Sequence, residues 1–193
     1  MTVAKQIYNA RHIYKLSIKG SRMAKLVQKF EENNYVFNYI TVSWSKTVQD
    51  IFFAHPESEK LFNTFSTVLV MDSTYKTNQY KMSLFEIVGL TSTEMTYNVG
   101  FAFLISKKEE KFTWTLLECA NLLKCKKQML KVIITDMDTA LMNVVAKQFL
   151  TSSALVCEFH ILNNVRARCI LDCKLKDFKG KHVKSLNLVD TKL

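Results

Sequence analysis

A single proline and four glycines in 193 residues leave no material for a flexible linker or a low-complexity stretch. No run of 18 apolar residues occurs, which excludes a membrane-spanning helix. The opening residues, Met1 to Gln6, lack the apolar centre that a secretory signal needs. There is no arginine-rich arm and no internal repeat. The five cysteines, Cys119, Cys125, Cys157, Cys169 and Cys173, are odd in number and follow no export signal, so they are expected as reduced thiols in cytosol or nucleus.

Apolar side chains make up 48% of the chain, enough for one domain with a packed core and a flanking segment. The net charge of +10 is uneven. Lys and Arg outnumber Asp and Glu nine to five in residues 1–62, ten to nine in 63–160, and eight to three in 161–193. A near-neutral middle between basic flanks suits a polyanion, most simply nucleic acid. A surface merely solubilised by lysine has the same charge.

Hydrophobic periodicity predicts a helix over residues 22–32 capped by Ser21, a β-like run over 35–44, a helical segment over 47–53, a break at Pro56 and a short helix through Leu61 and Phe62. The pattern changes at Phe65. Residues 68–71 form a continuous apolar run closing in Asp72, as a strand buried on both faces does. Residues 74–80 read as a loop. Strands are predicted over 84–90 and 97–104, a helix over 112–125 with Trp114, Leu116, Leu117, Ala120 and Leu123 as its stripe, and a strand over 132–134 ending in Thr135 and Asp136. A helix over 139–149 capped by Asp138, a strand over 154–156 and a helix over 159–173 complete the order βββαβαβα. That order is the RNase H-like one, an α/β three-layer sandwich. The expected organisation is a partly helical extension over 1–62, a C-terminally incomplete core over 63–173 and a basic tail over 174–193.

Asp72 and Asp136 carry the chemistry. A carboxylate closing a buried strand must reach the surface or bind something, because an unpaired charge in an apolar core is too costly. If the two strands are neighbours, both acids meet at one rim, where they could hold Mg²⁺ or Mn²⁺ for phosphoryl transfer. Taken singly, Asp72 could equally start a turn and Asp136 could equally cap a helix. Cys157 and His160 form a C-x-x-H pair on one helical face. The pair is half of a zinc site, or a buried thiol beside a histidine bonded to backbone. Tyr75, Lys76, Tyr80 and Lys81 mix aromatic and basic character after Asp72, as stacking on bases and contact with phosphate require. A solvated loop has the same look. Arg166 and Arg168 begin a basic stretch that could follow a DNA backbone.

An ordered series of short blocks resembles the MULE (Mutator-like element) transposase domain. It comprises Leu61-Phe62-Asn63-Thr64-Phe65, Met71-Asp72-Ser73-Thr74-Tyr75-Lys76-Thr77-Asn78, Glu86-Ile87-Val88-Gly89, Gly100-Phe101-Ala102-Phe103, Phe112-Thr113-Trp114, Ile134-Thr135-Asp136-Met137-Asp138-Thr139-Ala140-Leu141-Met142-Asn143 and Cys157-Glu158-Phe159-His160. The resemblance covers roughly residues 60–170 and extends to plant far-red-impaired-response type regulators, which share the domain. It implies an RNase H-like fold and a DDE-type mechanism using Mg²⁺ or Mn²⁺ on double-stranded DNA. It makes Asp72 and Asp136 the first two metal-binding acids and Cys157 and His160 a structural signature. It also implies a nuclear location and leaves room for a homo-oligomer. The family's third acid, a glutamate, is not matched. No Glu follows Glu158, and Asp172, Asp177 and Asp190 lie in a lysine-rich tail. The expectation is therefore a truncated core, inactive by itself, or a domesticated DNA-binding regulator.

Overall fold

A computed structural model describes residues 22–41, 48–74, 78, 80–124 and 130–173. In chain order the elements are α1 (Arg22–Glu32), β1 (Val36–Thr41), β2 (Val48–Ala54), α2 (Pro56–Thr64), β3 (Val68–Thr74), β4 (Ser83–Leu90), β5 (Thr96–Leu104), α3 (Glu109–Asn121), β6 (Val132–Thr135), α4 (Thr139–Gln148), β7 (Ser153–Val156) and α5 (Glu158–Cys173). The described residues thus form a mixed α/β structure. One seven-stranded sheet has the order β1-β2-β5-β4-β3-β6-β7. β3, β4 and β5 make an antiparallel meander. β6 lies parallel to β3, and β7 parallel to β6.

The helix expected over 47–53 is instead the strand β2, Val48–Ala54, with Thr47 outside the described residues. Val48, Ile51 and Phe52 match helical spacing, but β-branched and aromatic residues also favour a pleated surface. Alternation decides between them. Phe52 and Ala54 enter the main core, whereas Phe53 points to the other face, 5.5 Å from the Phe101 ring and 4.7 Å from Phe30 of α1. β2 pairs with both β1 and β5, so two strands extend the meander.

The main core lies on one face of the sheet. Phe52, Leu69, Met71, Phe85, Ile87, Ala102, Leu104 and Ile133 meet Phe62 of α2, Phe112, Leu116 and Cys119 of α3, and Leu141, Val144 and Val145 of α4. Each large side chain fully buried here contributes about 1.5–3 kcal/mol. The stripe of α3 is Phe112, Thr115, Leu116 and Cys119, spaced i, i+3, i+4, i+7. Leu117, expected in that stripe, is exposed. It stands one residue beyond Leu116, about 100° round the helix, away from the sheet. Burial pushes the Cys119 thiol up to about 12, so it is an inert core group.

Helix ends follow local chemistry. Pro56 occupies the first position of α2, where its missing N–H costs nothing. His55, read from sequence as isolated, caps that helix: its Nδ1 accepts the Glu57 N–H at 3.1 Å. Asp138 caps α4, accepting from Ala140 and Leu141.

Gly89 is fixed by a close approach. The Tyr97 ring lies across it, so an added Cβ would collide with the ring's Cζ and Cε1 and with its hydroxyl, and the phenol donates to the Phe65 carbonyl at 2.6 Å. Gly89→Ala is expected to cost about 1–3 kcal/mol through forced displacement of that ring, read as a lowered urea midpoint. An unchanged midpoint would show that the ring moves freely.

Candidate functional site

Parallel pairing of β3 with β6 brings the two sequence-identified aspartates together. The register runs from Val68↔Val132 to Met71↔Thr135. One step further along both chains sets Asp136 beside Asp72. β3 continues to Thr74, so Asp72 lies inside the strand near its C-terminal end and does not close it. Met71 and Ser73 point into the core, and Asp72 therefore points to the opposite face, with its side chain 49% exposed. Asp136 follows β6 directly and is 8% exposed.

Asp136 is not the helix cap, which Asp138 supplies. Its Oδ1 accepts the Asp138 N–H at 3.1 Å. Burial pushes the Asp136 carboxyl above the ordinary carboxylate range. The Asp138 N–H draws it down, the negative charges of Asp138 and Asp72 push it up, and the positive charge of Lys107 opposes them. Glu86 adds to the acidic character. It is the residue directly opposite Asp72 on β4 and shares its face. Like charges facing each other across a strand pair are unfavourable unless a cation intervenes.

The C-x-x-H pair joins this rim. The Cys157 N–H donates to the Thr135 carbonyl at 2.8 Å, which extends the β6–β7 pairing, and the Cys157 carbonyl accepts from Ile161 N–H in the first turn of α5. That turn carries His160 over the sheet to Asp72, with Nε2 3.7 Å from Oδ1. The expectation that His160 bonds to backbone is therefore replaced by a contact with the candidate acid. Its Nδ1 is buried and finds no hydrogen-bond partner among the described residues. Among the described residues no three His, Cys, Asp or Glu side chains are grouped closely enough to hold a metal ion by themselves. Cys169 is exposed on α5, and Cys125 lies outside the described residues.

Three residues along this edge of the sheet, Lys107, Asp50 and Lys111, were not singled out from the sequence. Lys107, in the loop after β5, donates from Nζ to the Ser73 carbonyl at 2.8 Å. Asp50 is completely buried in β2, and its Oδ2 accepts from Lys111 Nζ at 2.7 Å. A signal for Asp50 existed, since a charge within the apolar run Val48–Ala54 needs a partner. No local pattern marks Lys107, because its meaning depends on where its loop crosses the rim.

The weaker candidates separate. Tyr75 and Lys76 lie outside the described residues. Lys81 is exposed with a left-handed φ of 54°, and Tyr80 is exposed. On α5, Arg168 is exposed and Arg166 is half-buried, with a buried Nε that has no partner among the described residues. The same helix exposes Phe159, Ile161, Leu162 and Val165.

A parallel β3–β6 pair with carboxylates at its C-terminal rim, entered by a C-x-x-H helix, defines the class of domain. Residues 68–164, half of the chain, match the MULE transposase domain, and the chain belongs to that family. It is similar to the PKS-NRPS hybrid synthetase cheA of Chaetomium globosum, 26% identical over 83% of this chain and 4% of that protein. Two Arabidopsis thaliana proteins are also similar. FAR1-RELATED SEQUENCE 5 is 23% identical over 86% of this chain and 21% of its own length. FAR-RED IMPAIRED RESPONSE 1 is 23% identical over 70% of this chain and 16% of its own length. The chain therefore spans about a fifth or less of these relatives. No helix among the described residues is long and apolar enough to cross a membrane.

Proposed function

We propose that this chain supplies the first two acids, Asp72 and Asp136, of an RNase H-like DDE centre acting on double-stranded DNA. The observation that carries the reading is the β3–β6 register, whose next step beyond Met71↔Thr135 pairs the position of Asp72 with that of Asp136. The donor set fits Mg²⁺ or Mn²⁺. Hard carboxylate oxygens suit these ions, and Mg²⁺ is commonly held by one or two carboxylates with the remaining positions filled by substrate phosphate and water. The half-exposed Asp72, the like charge of Glu86 opposite it and the raised carboxyl of Asp136 all describe a place where a cation relieves repulsion. A bound ion would polarise the phosphate and ease deprotonation of the attacking water. Asp72 and Asp136 would hold it, the Asp138 N–H orients Asp136, and His160 stands against Asp72.

Among the described residues no third His, Cys, Asp or Glu joins the pair closely enough to complete a metal site, so the chain is proposed to bind metal and DNA together without turning over by itself. A second copy or a longer chain is the proposed source of the missing group, and the nucleus is the proposed location. The alternative is a domesticated, non-catalytic DNA-binding regulator. The similarity to FAR-RED IMPAIRED RESPONSE 1 favours it.

The two readings separate in one experiment. Binding and cleavage of labelled duplex DNA are followed with and without Mn²⁺ for the native chain and for Asp72→Asn/Asp136→Asn. The metal-centre reading expects Mn²⁺ to strengthen binding at least several-fold, with the gain lost in the double variant. Cleavage that disappears in the variant would show that the centre is complete in this chain. Equal, Mn²⁺-independent binding by both proteins would overturn the metal reading and leave the regulator.

A further inference from the structure

The rim that carries Asp72 and Asp136 also receives the loop between β5 and α3, residues 105–108. Asp50 holds that loop from two sides. Its Oδ1 accepts the Ile105 N–H at 3.0 Å, where the loop begins, and its Oδ2 accepts Lys111 Nζ at 2.7 Å, from the first turn of α3. A fully buried carboxylate persists only with partners of this quality, so both ends of the loop are pinned. Thus restrained, the loop passes the end of β4 and delivers Lys107 to β3. There Nζ reaches the carbonyl of Ser73, the residue next to Asp72.

This placement is unusual for a lysine with no structural duty. One of its three N–H groups meets a backbone oxygen, and among the described residues it makes no ion pair. Its charge is felt at Asp136. A DNA phosphate approaching two carboxylates meets strong repulsion, and a fixed ammonium beside them offsets part of it.

We propose that Lys107 is a substrate-contacting cation of this rim, binding a non-bridging oxygen of the DNA phosphate brought to Asp72 and Asp136, and that Asp50 is the positioning residue that holds it there. The inference rests on the reading of Asp72 and Asp136 as a phosphodiester-handling pair. β2, which carries Asp50, lies before the family-matched residues 68–164, so it becomes part of the working unit.

The test is the affinity for a labelled DNA duplex across a salt series, with and without Mn²⁺. The proteins are the native chain, Lys107→Gln, Lys107→Arg, Asp50→Asn, Asp72→Asn/Asp136→Asn and Lys131→Gln. Lys131 is an exposed lysine just before β6, at the far end of that strand, and controls for general charge. Lys107→Gln is expected to lose roughly tenfold in affinity and to flatten the log–log salt slope by about one. Lys107→Arg should restore most of the slope, and Lys131→Gln should cost much less. Asp50→Asn makes the protein more positive, so general electrostatics would tighten DNA binding, whereas a displaced Lys107 weakens it and flattens the slope. Lys107 is a rim residue outside the core. An unchanged melt of Lys107→Gln therefore keeps the question decidable even if Asp50→Asn folds poorly.

A Lys107→Gln protein that matches the native chain, or loses no more than Lys131→Gln, overturns the inference. If Mn²⁺ still strengthens native binding and the Asp72→Asn/Asp136→Asn protein loses that gain, the metal pair survives and only Lys107 is removed. If Mn²⁺ has no effect on the native chain, it is the reading of the pair that fails.

Discussion

Asp50→Ala is expected to cost about 3–5 kcal/mol, the range for removing one partner of a buried ion pair. Asp50 has no solvent exposure, and Lys111 is only 11% exposed. Deleting the carboxylate leaves an ammonium with little access to water and the Ile105 N–H without its acceptor. The loss is much larger than for the surface pairs Lys60–Glu57 or Lys147–Glu109, whose charges keep their water and are screened by solvent. Asp50→Asn should fall between these limits, because its amide oxygen still accepts from Ile105. Asp50→Ala/Lys111→Met should recover part of the loss, since no orphaned charge remains. Denaturant midpoints measure all four proteins. An Asp50→Ala cost below about 1 kcal/mol would show that the buried pair is not what fixes β2 to the loop.

Asp136→Asn should act in the opposite direction. Burial raises the folded-state pKa of Asp136, with added repulsion from Asp138 and Asp72. The folded protein therefore holds this proton more tightly than the unfolded chain does. The stability that goes with it is complete below the unfolded value of about 3.9 and is lost as pH rises through the higher folded value. At neutral pH the metal-free protein thus carries an unfavourable charge that Asn removes, and Asn can still accept the Asp138 N–H. Asp136→Asn is expected to melt above the native chain at pH 7, with the difference shrinking to nothing on acidification. Added Mn²⁺ should raise the melting temperature of the native chain only. A variant that melts lower at pH 7 would mean the carboxylate serves the fold. Stability given up at the same residue that is proposed to bind metal is the pattern expected of a functional position.

The meander, the two parallel strands and both aspartates were legible because each leaves a local trace. Apolar runs such as Val68 to Met71 mark strands buried on both faces, and an acid at the end of such a run stands out. β2 was misread because Val48, Ile51 and Phe52 fit a helix as well as a strand, and only pairing with β1 and β5 decides between them. The same ambiguity hid Asp50, which on a helix could have faced solvent. His160 was found as part of a motif, but its contact with Asp72 follows from where α5 leaves the sheet, which spacing along the chain does not encode. Lys107 is the extreme case. It is one lysine among 27 Lys and Arg residues, distinguished only by the crossing of its loop over the rim.

Asp72 and Asp136 are proposed to act as one divalent-cation site in the presence of DNA. The most direct measurement is the loss of the free Mn²⁺ electron paramagnetic resonance signal on titration with protein and duplex DNA, for the native chain, Asp72→Asn, Asp136→Asn and the double variant. The native chain with DNA is expected to remove free Mn²⁺ beyond what DNA alone removes, and each single variant is expected to lose this uptake as fully as the double variant does. Uptake by either single variant equal to that of the native chain would contradict that proposal.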